Sequence, residues 1–369
     1  MTVTGGNPFD KTRLTGRPTD QSGFPDSPRR PYHGAMRRRD FLRTPPTLEQ
    51  PGLPRHAPGE LSLIRVSRRA MATTFEVALP FGTPDALAAA EDALDIIDAV
   101  EDQLTVYRDS SEVARLNADA FGRSVPVAAN LFDLLTQCAE WTRDTAGGFD
   151  IAVGALVASW ATHKREGRTP PAADLAHARA NSGVRHVMLD AAARSVKYRQ
   201  PQLLLNFGSV GKGYALDLAA EMLRHRWGVG SALLSGGGSS VRALGTPPGH
   251  PRGWPVAVTH PSGVGTLGTV YLRDQGMGTS AATFQFFEVN GRRYGHVIDP
   301  RTGNPASGTE SASVVAPTAA QADALSTAFF VQGADAAVEY IQPRPALAAI
   351  ILRSDRPTAE TITSPPGTR

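Results

Sequence analysis

The chain has 369 residues, 41% of them hydrophobic and 20% charged, which is typical of a soluble globular protein with one large domain or two ordinary ones. Its formal net charge is only +3 and several arginines lie before residue 60, so the sequence does not favour nucleic-acid binding. The one cysteine, Cys138, cannot form an internal disulfide or a multi-cysteine metal site.

The first 60 residues differ in composition from the rest of the chain. Residues 1–60 are rich in Pro, Gly, Arg and Ser/Thr and show no hydrophobic period, which predicts a disordered basic segment. Its residues 38–43 resemble a twin-arginine export signal, but a polar, proline-broken stretch follows where an apolar region should be. We therefore favour a cytoplasmic location, with export to the periplasm as the alternative. No stretch approaches the ~18 apolar residues of a membrane span, so we expect no transmembrane segment.

From residue 61 onward, apolar spacing predicts a succession of strands and helices. An alternating strand at 74–79 precedes a helix from about 84 to 104, in which apolar residues recur at spacings of three and four. The further elements predicted up to residue 207 are a helical turn at 111–117, a helix around Cys138 that ends at Gly147-Gly148, an apolar run at 151–160, a helix at 174–180, and strands at 184–189, 195–198 and 202–207.

A glycine-rich loop with a lysine follows the last of these strands. Residues 208–214 read Gly-Ser-Val-Gly-Lys-Gly-Tyr and lead into a helix with an apolar face. Glycines allow close approach, a helix N-terminus offers N–H groups and Lys212 adds positive charge, so the layout suits an anionic ligand. The loop matches neither a Walker loop nor G-x-G-x-x-G, and an ordinary tight strand–helix turn remains the alternative.

The second half of the chain is predicted to be rich in strands. Asn290-Gly291 is a strong two-residue hairpin signal between strands at 284–289 and 292–298. The other elements predicted here are strands at 231–234, 254–258, 269–272, 311–315 and 346–352, a helix that begins near 318, and a disordered polar tail at 354–369.

The predicted hairpin leads into a possible catalytic segment. His296 is followed by Asp299, and Pro300 and Gly303 then force a turn. A histidine and a carboxylate held in this way can perform proton or phosphate chemistry. The alternative is an Asx turn in which Asp299 caps the backbone and His296 is a half-buried polar residue.

The helix near 318 carries a second candidate pair. Asp323 and Thr327 are four residues apart and therefore share one helical face, where they can offer two oxygens to a hard cation. The alternative is that Asp323 favours the helix dipole and that Thr327 bonds back to a backbone carbonyl.

These segments, in this order, resemble the FAD:protein FMN transferase family, the ApbE-like flavin transferases, over about residues 71–352. The resemblance implies an α+β fold with mixed β-sheets flanked by helices and a ligand cleft between subdomains, in one domain at 61–353. The residues that carry it are Met71-Ala72-Thr73, residues 105–107 with 111–117, Gly148-Phe149-Asp150, residues 208–214 with Asp217, the three glycines at 236–238, Thr279-Ser280, residues 296–303 and residues 322–328.

The resemblance also implies an activity. The enzyme would bind FAD and Mg²⁺, move the FMN half of FAD onto a Ser or Thr of an acceptor flavoprotein, and release AMP. A metal held by hard oxygens would neutralise the pyrophosphate charge during attack at phosphorus. An FAD pyrophosphatase that gives FMN and AMP, or a non-catalytic flavin-binding protein, remains the alternative.

Site residues are implied position by position. Asp323 and Thr327 match the side-chain metal ligands, the Ser209 carbonyl matches a backbone ligand, and His296 matches a histidine that assists transfer, so His296 and Asp323 are the catalytic candidates. The positions that match flavin-binding residues are Met71, Tyr107, Gly148, Phe149, Asp150, Lys212 and Val297. Departures from the family pattern at Asn206, Ser209, Ser239 and residues 281–284 leave the metal and histidine positions intact.

Overall fold

The computed structural model describes residues 61–281, 286–289 and 292–364. The predictions for residues 1–60, for the Asn290-Gly291 turn and for residues 365–369 lie outside these ranges. None of the helices within the described ranges combines the length and the apolar character that crossing a membrane requires.

The described helices are explained by their apolar spacing. They are α1 Ala86–Leu104, α2 Glu112–Asp119, α3 Ala129–Asp144, α4 Gly154–Arg165, α5 Ala172–Ala180, α6 Gly211–Trp227, α7 Ala319–Gln332 and α8 Ala334–Ile341. In α1, the buried residues Ala93, Ile97 and Val100 lie three or four apart and form one stripe. By contrast, α7 is buried on almost every side, because nearly all its residues are small or apolar.

Fifteen strands lie within the described ranges. They are β1 Leu63–Ala70, β2 Thr73–Pro80, β3 Val125–Pro126, β4 Val187–Asp190, β5 Ser195–Tyr198, β6 Ala232–Gly236, β7 Ser240–Leu244, β8 Trp254–Thr259, β9 Thr266–Leu272, β10 Gly276–Ala281, β11 Phe286–Val289, β12 Arg292–Gly295, β13 Thr309–Ala316, β14 Ala348–Arg353 and β15 Glu360–Thr363. Eight of them form one antiparallel sheet in the order β1-β2-β6-β7-β10-β13-β14-β15, and the others form small sheets of two or three strands. The fold is therefore α+β, as the resemblance implies.

The large sheet has a different layer on each face. Helices α1, α6 and α7 cover one face and share the main core with Phe75 and Leu234 of the sheet. The ribbon β8–β9 covers part of the other face, where Trp254 packs with Val241 and Met277. Side chains alternate between the faces along each strand, so the residues on either side of Met277 in β10 face α7.

Two predictions about the elements need correction. Residues 202–207 form no strand. Gln202 lies in a turn, and residues 203–207 join no sheet, because the backbone of Leu204 and Asn206 bonds to the segment at 151–154 and that of Leu205 bonds to the side chain of Asn117. The predicted tail at 354–369 contains β15, which pairs with β14 and extends the large sheet by one strand.

Candidate functional site at the junction of α6 and α7

The buried carboxylate of Asp323 lies at the centre of the candidate site. Asp323 lies in the second turn of α7 and is only 5% exposed. Its Oδ2 accepts a 2.8 Å hydrogen bond from the backbone N–H of Gly213, in the first turn of α6. The hydroxyl of Ser240 in β7 lies 2.9 Å from both carboxylate oxygens and donates to them. The carboxylate therefore joins α7, α6 and the sheet at one point.

A second carboxylate completes a reciprocal arrangement between the two helices. Asp217 lies in α6, and its oxygens accept hydrogen bonds from the backbone N–H groups of Ala319 and Ala320 at 2.9 and 2.8 Å. These are the first two residues of α7, whose N–H groups have no partner within the helix. Asp217 thus caps α7, while Asp323 satisfies an N–H in the first turn of α6.

Arg242 in β7 supports this arrangement from the sheet. Its Nε lies 3.2 Å from Oδ1 of Asp217, in an ion pair that lacks the angle of a hydrogen bond, and its Nη1 donates to the carbonyl of Pro317 at 2.7 Å. The guanidinium is almost completely buried. Arg242 therefore fixes the approach to α7 and compensates the charge of Asp217.

The two carboxyl groups have pKa values above that of an exposed aspartate. Burial raises the pKa of Asp323 to about 6, although the positive charge of Lys212 and the hydrogen bonds from Ser240 and Gly213 oppose the rise. Burial likewise raises the pKa of Asp217 to about 6, against the hydrogen bonds from α7 and the charge of Arg242. Each carboxylate thus carries a cost of burial that a bound cation would reduce.

Glycines make the close approach possible. A Cβ on Gly213 would collide with the backbone carbonyl of Ala319, and a Cβ on Gly278 of β10 would lie 2.5 Å from the backbone of Ala322 and Asp323. Any side chain at either position would push α7 away from its partners. The two glycines therefore set the distance between Asp323 and its donors.

Thr327 lies one turn after Asp323 in a cluster of hydroxyls. Its Oγ1 donates to the Asp323 carbonyl at 3.1 Å and lies 3.3 Å from Ser280 Oγ, which in turn lies 3.0 Å from Ser326 Oγ. The expected back-bond of Thr327 is confirmed. The Asp323 carboxylate, however, does not interact with the N-terminus of its own helix, because it is turned toward α6.

The glycine-rich loop leads directly into α6. Ser209 is half-buried in the turn at 208–210, and Asn206 Oδ1 accepts from the N–H of Gly208 at 2.9 Å. Lys212, in the first turn of α6, is half-buried beside the Asp323 carboxylate. The fold thus places Lys212 and Thr327 near Asp323, and Ser209 lies in the turn just before Lys212. One of the expected helix N–H groups, that of Gly213, is already used by Asp323.

The segment that begins at His296 forms a tight loop. β12 ends at Gly295, and His296 follows as an exposed residue rather than a half-buried one. Asp299 is buried, and its Oδ1 accepts from the Arg301 backbone N–H at 2.9 Å, so the predicted Asx turn is confirmed. The Arg301 guanidinium also donates to both carboxylate oxygens, at 2.9 and 3.0 Å, and these bonds raise the pKa of Arg301. Asp299 is thus engaged within its own turn, and the exposed imidazole of His296 stays the candidate for a proton acceptor.

Residues 148–150 direct their side chains inward. Phe149 is fully buried and packs edge-on against Trp141, with 6.4 Å between ring centroids. Asp150 accepts from the N–H groups of Ala152 and Val184, and burial raises the pKa of its carboxyl. Packing of the Phe149 ring on a flavin is therefore not available in this structure. Gly148 is also buried and packs closely against Gln332 of α7.

The remaining predicted positions lie at the edges of the main core. Met71 has a left-handed backbone in the β1–β2 turn, and its N–H donates to Glu101 near the end of α1 at 2.7 Å. Tyr107 is 54% exposed just after α1, so its ring is accessible to a ligand. Val297 packs half-buried against the main core.

No local sequence signal indicates a role for Ser240 or Arg242, and Asp217 enters only through the family resemblance. The available signal was the glycine triplet, which indicates close packing but does not identify the donor.

Comparisons with known proteins identify the family of the chain. The model of the ApbE family matches residues 71–351. The chain is 32% identical over 284 residues to the FAD:protein FMN transferase of Treponema pallidum, covering 73% of this chain and 78% of the relative. It is 29% identical over 309 residues to the FAD:protein FMN transferase of Haemophilus influenzae, covering 80% and 88%.

Solved structures show the same fold. The ApbE protein of Thermotoga maritima superposes with a TM-score of 0.74 at 25% identity, covering 82% of this chain and 97% of that one. The flavinyl transferase ApbE of Pseudomonas stutzeri gives a TM-score of 0.70 at 26% identity, covering 84% and 96%. The resemblance found in the sequence is therefore confirmed, and the chain belongs to the ApbE family.

Proposed function

We propose that this chain is an FAD:protein FMN transferase that moves FMN from FAD to a Ser or Thr of an acceptor flavoprotein, releases AMP, and requires Mg²⁺. The observation that carries the proposal is the buried Asp323 carboxylate, held by Gly213 and Ser240 beside the charge of Lys212. The similarity to the FAD:protein FMN transferases of Treponema pallidum and Haemophilus influenzae supports the same reaction.

The oxygen atoms around Asp323 are suited to a magnesium ion. Oδ1 accepts one hydrogen bond, from Ser240, and so keeps a lone pair, and the Thr327 hydroxyl lies one turn away. No cluster of three His, Cys, Asp or Glu side chains occurs among the described residues, so the set relies on one carboxylate with hydroxyl and carbonyl oxygens. Magnesium takes hard oxygen ligands and usually keeps several waters, so Asp323, Thr327 and the Ser209 carbonyl fit it.

The chemistry divides between the ion and the side chains. Bound Mg²⁺ would neutralise charge on the pyrophosphate of FAD. Lys212 adds a positive charge near Asp323, and exposed Tyr107 offers a ring for the flavin. His296 takes the proton from the acceptor hydroxyl as its oxygen attacks the phosphorus of the FMN half, and the bond from that phosphorus to the AMP oxygen breaks. AMP leaves, and a phosphoester joins FMN to the acceptor.

The test is an incubation of the purified chain with FAD, Mg²⁺ and a candidate acceptor domain. We expect the mass of the acceptor to increase by one FMN and AMP to appear in equal amount. An acceptor in which the modified Ser or Thr is changed to Ala is the matched control and should stay unmodified.

Two outcomes would contradict the proposal. Free FMN and AMP without a protein adduct would identify a pyrophosphatase. A bound yellow flavin with no AMP release would identify a flavin-binding protein without catalysis.

A further inference from the structure

The loop at 296–303 is closed by its own backbone. Asp299 N–H donates to the Asn304 carbonyl at 2.8 Å, and Gly303 N–H donates to the Asp299 carbonyl at 2.8 Å. An isolated bridge pairs Ile298 with Pro305. The loop therefore moves as one unit, and the placement of His296 depends on what holds this unit to the domain.

One buried tryptophan contacts the chain on both sides of His296. Trp160 of α4 is 5% exposed, and its indole N–H donates to the Gly303 carbonyl at 2.7 Å. Its ring lies 5.7 Å, centroid to centroid, from the ring of Tyr294, which is two residues before His296. The same side chain thus fixes the strand that enters the loop and the turn that leaves it.

The helix that carries Trp160 is itself well anchored. The first N–H of α4, that of Gly154, donates to the Leu204 carbonyl at 2.9 Å, and Nε2 of buried His163 lies 3.1 Å from Asp174 of α5. Leu156, fully buried one turn before Trp160, packs so closely that a Cβ on Gly303 would lie 3.0 Å from it. The loop therefore rests on a rigid support.

We infer that Trp160 is a positioning residue, which holds the 296–303 loop so that His296 meets the acceptor hydroxyl. This inference rests on the proposed transferase function. Catalytic groups must be held in the productive geometry, and a displacement of about 1 Å can cost roughly 100-fold in rate. In this role Trp160 acts through the loop, by its hydrogen bond to the Gly303 carbonyl and its ring contact with Tyr294.

The test compares Trp160→Phe with Trp254→Phe. Trp254 is also buried, at 1% exposed, and also donates its indole N–H to a backbone carbonyl, that of Leu244 at 3.0 Å. It lies in β8 and packs on Val241 and Met277, on the face of the large sheet that the ribbon β8–β9 covers. Both variants lose one indole hydrogen bond, so Trp254→Phe controls for the loss of stability that this change causes by itself. Gly303→Ala loosens the same contact from the loop side, because Gly303 has a left-handed φ of 78° and a Cβ there would lie only 3.0 Å from the side chains of Leu156 and Arg179.

Two readouts decide the inference. We expect Trp160→Phe and Gly303→Ala to lower the kcat of AMP release about tenfold with little change in the KM for FAD, and Trp254→Phe to leave kcat unchanged. Hydrogen exchange of the amides at 297–306 should accelerate in the first two variants only. Wild-type kcat in Trp160→Phe, or an equal loss in Trp254→Phe, would overturn the inference.

The two proposals can fail separately. If wild-type protein modifies no acceptor and releases no AMP, the proposed function fails. If it does both, and His296→Asn abolishes them while Trp160→Phe does not weaken them, only the role of Trp160 fails.

Discussion

Asp217 and Asp323 are reciprocal hydrogen-bond acceptors: each accepts from backbone N–H groups in the first turn of the helix that carries the other. Asp217 of α6 accepts from the first two N–H groups of α7, and Asp323 of α7 accepts from Gly213 in α6. Helix N-termini carry partial positive charge, so each carboxylate is stabilised by the partner helix. The consequence is that the proposed metal ligand and the helix packing cannot be changed independently.

Replacement of Asp323 should abolish transfer. We expect Asp323→Asn and Asp323→Ala to lower AMP release by about 100-fold or more, because the one buried carboxylate of the proposed metal set is lost. The Ala variant also leaves Gly213 N–H and Ser240 without an acceptor, at about 1–3 kcal/mol each, yet its circular dichroism should remain that of a folded chain. A fully active Asp323→Ala variant would refute the metal assignment.

Replacement of Ser240 should have a smaller effect than replacement of Asp323. Ser240→Ala removes a hydrogen bond to a buried charged group, which we expect to cost about 1.5–3 kcal/mol in urea unfolding. Asp323 keeps its charge and its bond from Gly213, so AMP release should fall only about tenfold. Ser262→Ala, at an exposed turn beside His260, is the control. A loss as large as that of Asp323→Asn would show that Ser240 does more than orient the carboxylate.

Gly213→Ala should be destabilising although it lies within a helix. Exposed helical glycines gain up to about 1 kcal/mol when replaced by alanine. At Gly213 the new Cβ would meet the Ala319 carbonyl, so we expect a loss of about 3 kcal/mol by thermal or urea unfolding. Gly268→Ala in β9, where a Cβ would meet open space, should not be destabilising. Equal stability of the two variants would contradict the close packing of α6 and α7.

Asp217 should make the stability depend on pH. Its folded pKa of about 6 exceeds the ~3.9 of an exposed aspartate, so between these values the folded chain holds a proton that the unfolded chain has released. The free energy of unfolding therefore falls as pH rises from about 4 to 6, by at most ~3 kcal/mol from this group. Asp217→Asn lacks that slope. Unfolding curves of the two proteins at pH 4 and 7 check this, and an equal difference at both pH values would contradict it.

His296→Asn should impair the chemical step. We expect the kcat of AMP release to fall by roughly 100- to 10,000-fold, the range of general acid–base catalysis, while FAD binding measured by flavin fluorescence is retained. Asp299→Asn is the informative comparison, since Asp299 is bound to Arg301 and should act only through the loop. A larger loss of kcat in Asp299→Asn than in His296→Asn would indicate that Asp299, and not His296, accepts the proton.

Local chemistry predicted several features of the candidate site. The turn at Asp299, the helix start near 318 and the loop before α6 follow from short-range signals in Pro, Gly, Asp and Thr, and the structure contains them. The residues that hold the site were not predictable in this way. Asp217 and Ser240 meet α7 only through tertiary packing, and no local pattern in the sequence records that contact.

Strands β7 and β10, which the sequence does not predict, each lack the usual strand signal. β7 is buried on both faces and shows no alternation, and β10 reads Gly-Met-Gly-Thr-Ser-Ala, which has weak β-propensity. The glycines of β10 allow α7 to pack closely on the sheet, and they do not favour strand formation. The opposite difference occurs at 202–207, where residues 203–207 are buried or half-buried without pairing, because their backbone groups bond to the segment at 151–154 and to the side chain of Asn117.

The strand order leaves β1 and β15 at the two edges of the large sheet. Open edges present unpaired backbone groups that invite aggregation with other chains. β1 carries three arginines, Arg65, Arg68 and Arg69, and β15 is only four residues long, and charge and shortness both discourage such pairing. We therefore expect the chain not to form fibrils by edge-to-edge strand pairing, even in concentrated solution. If the chain self-associates, we expect the contact to involve a surface other than the edge strands β1 and β15.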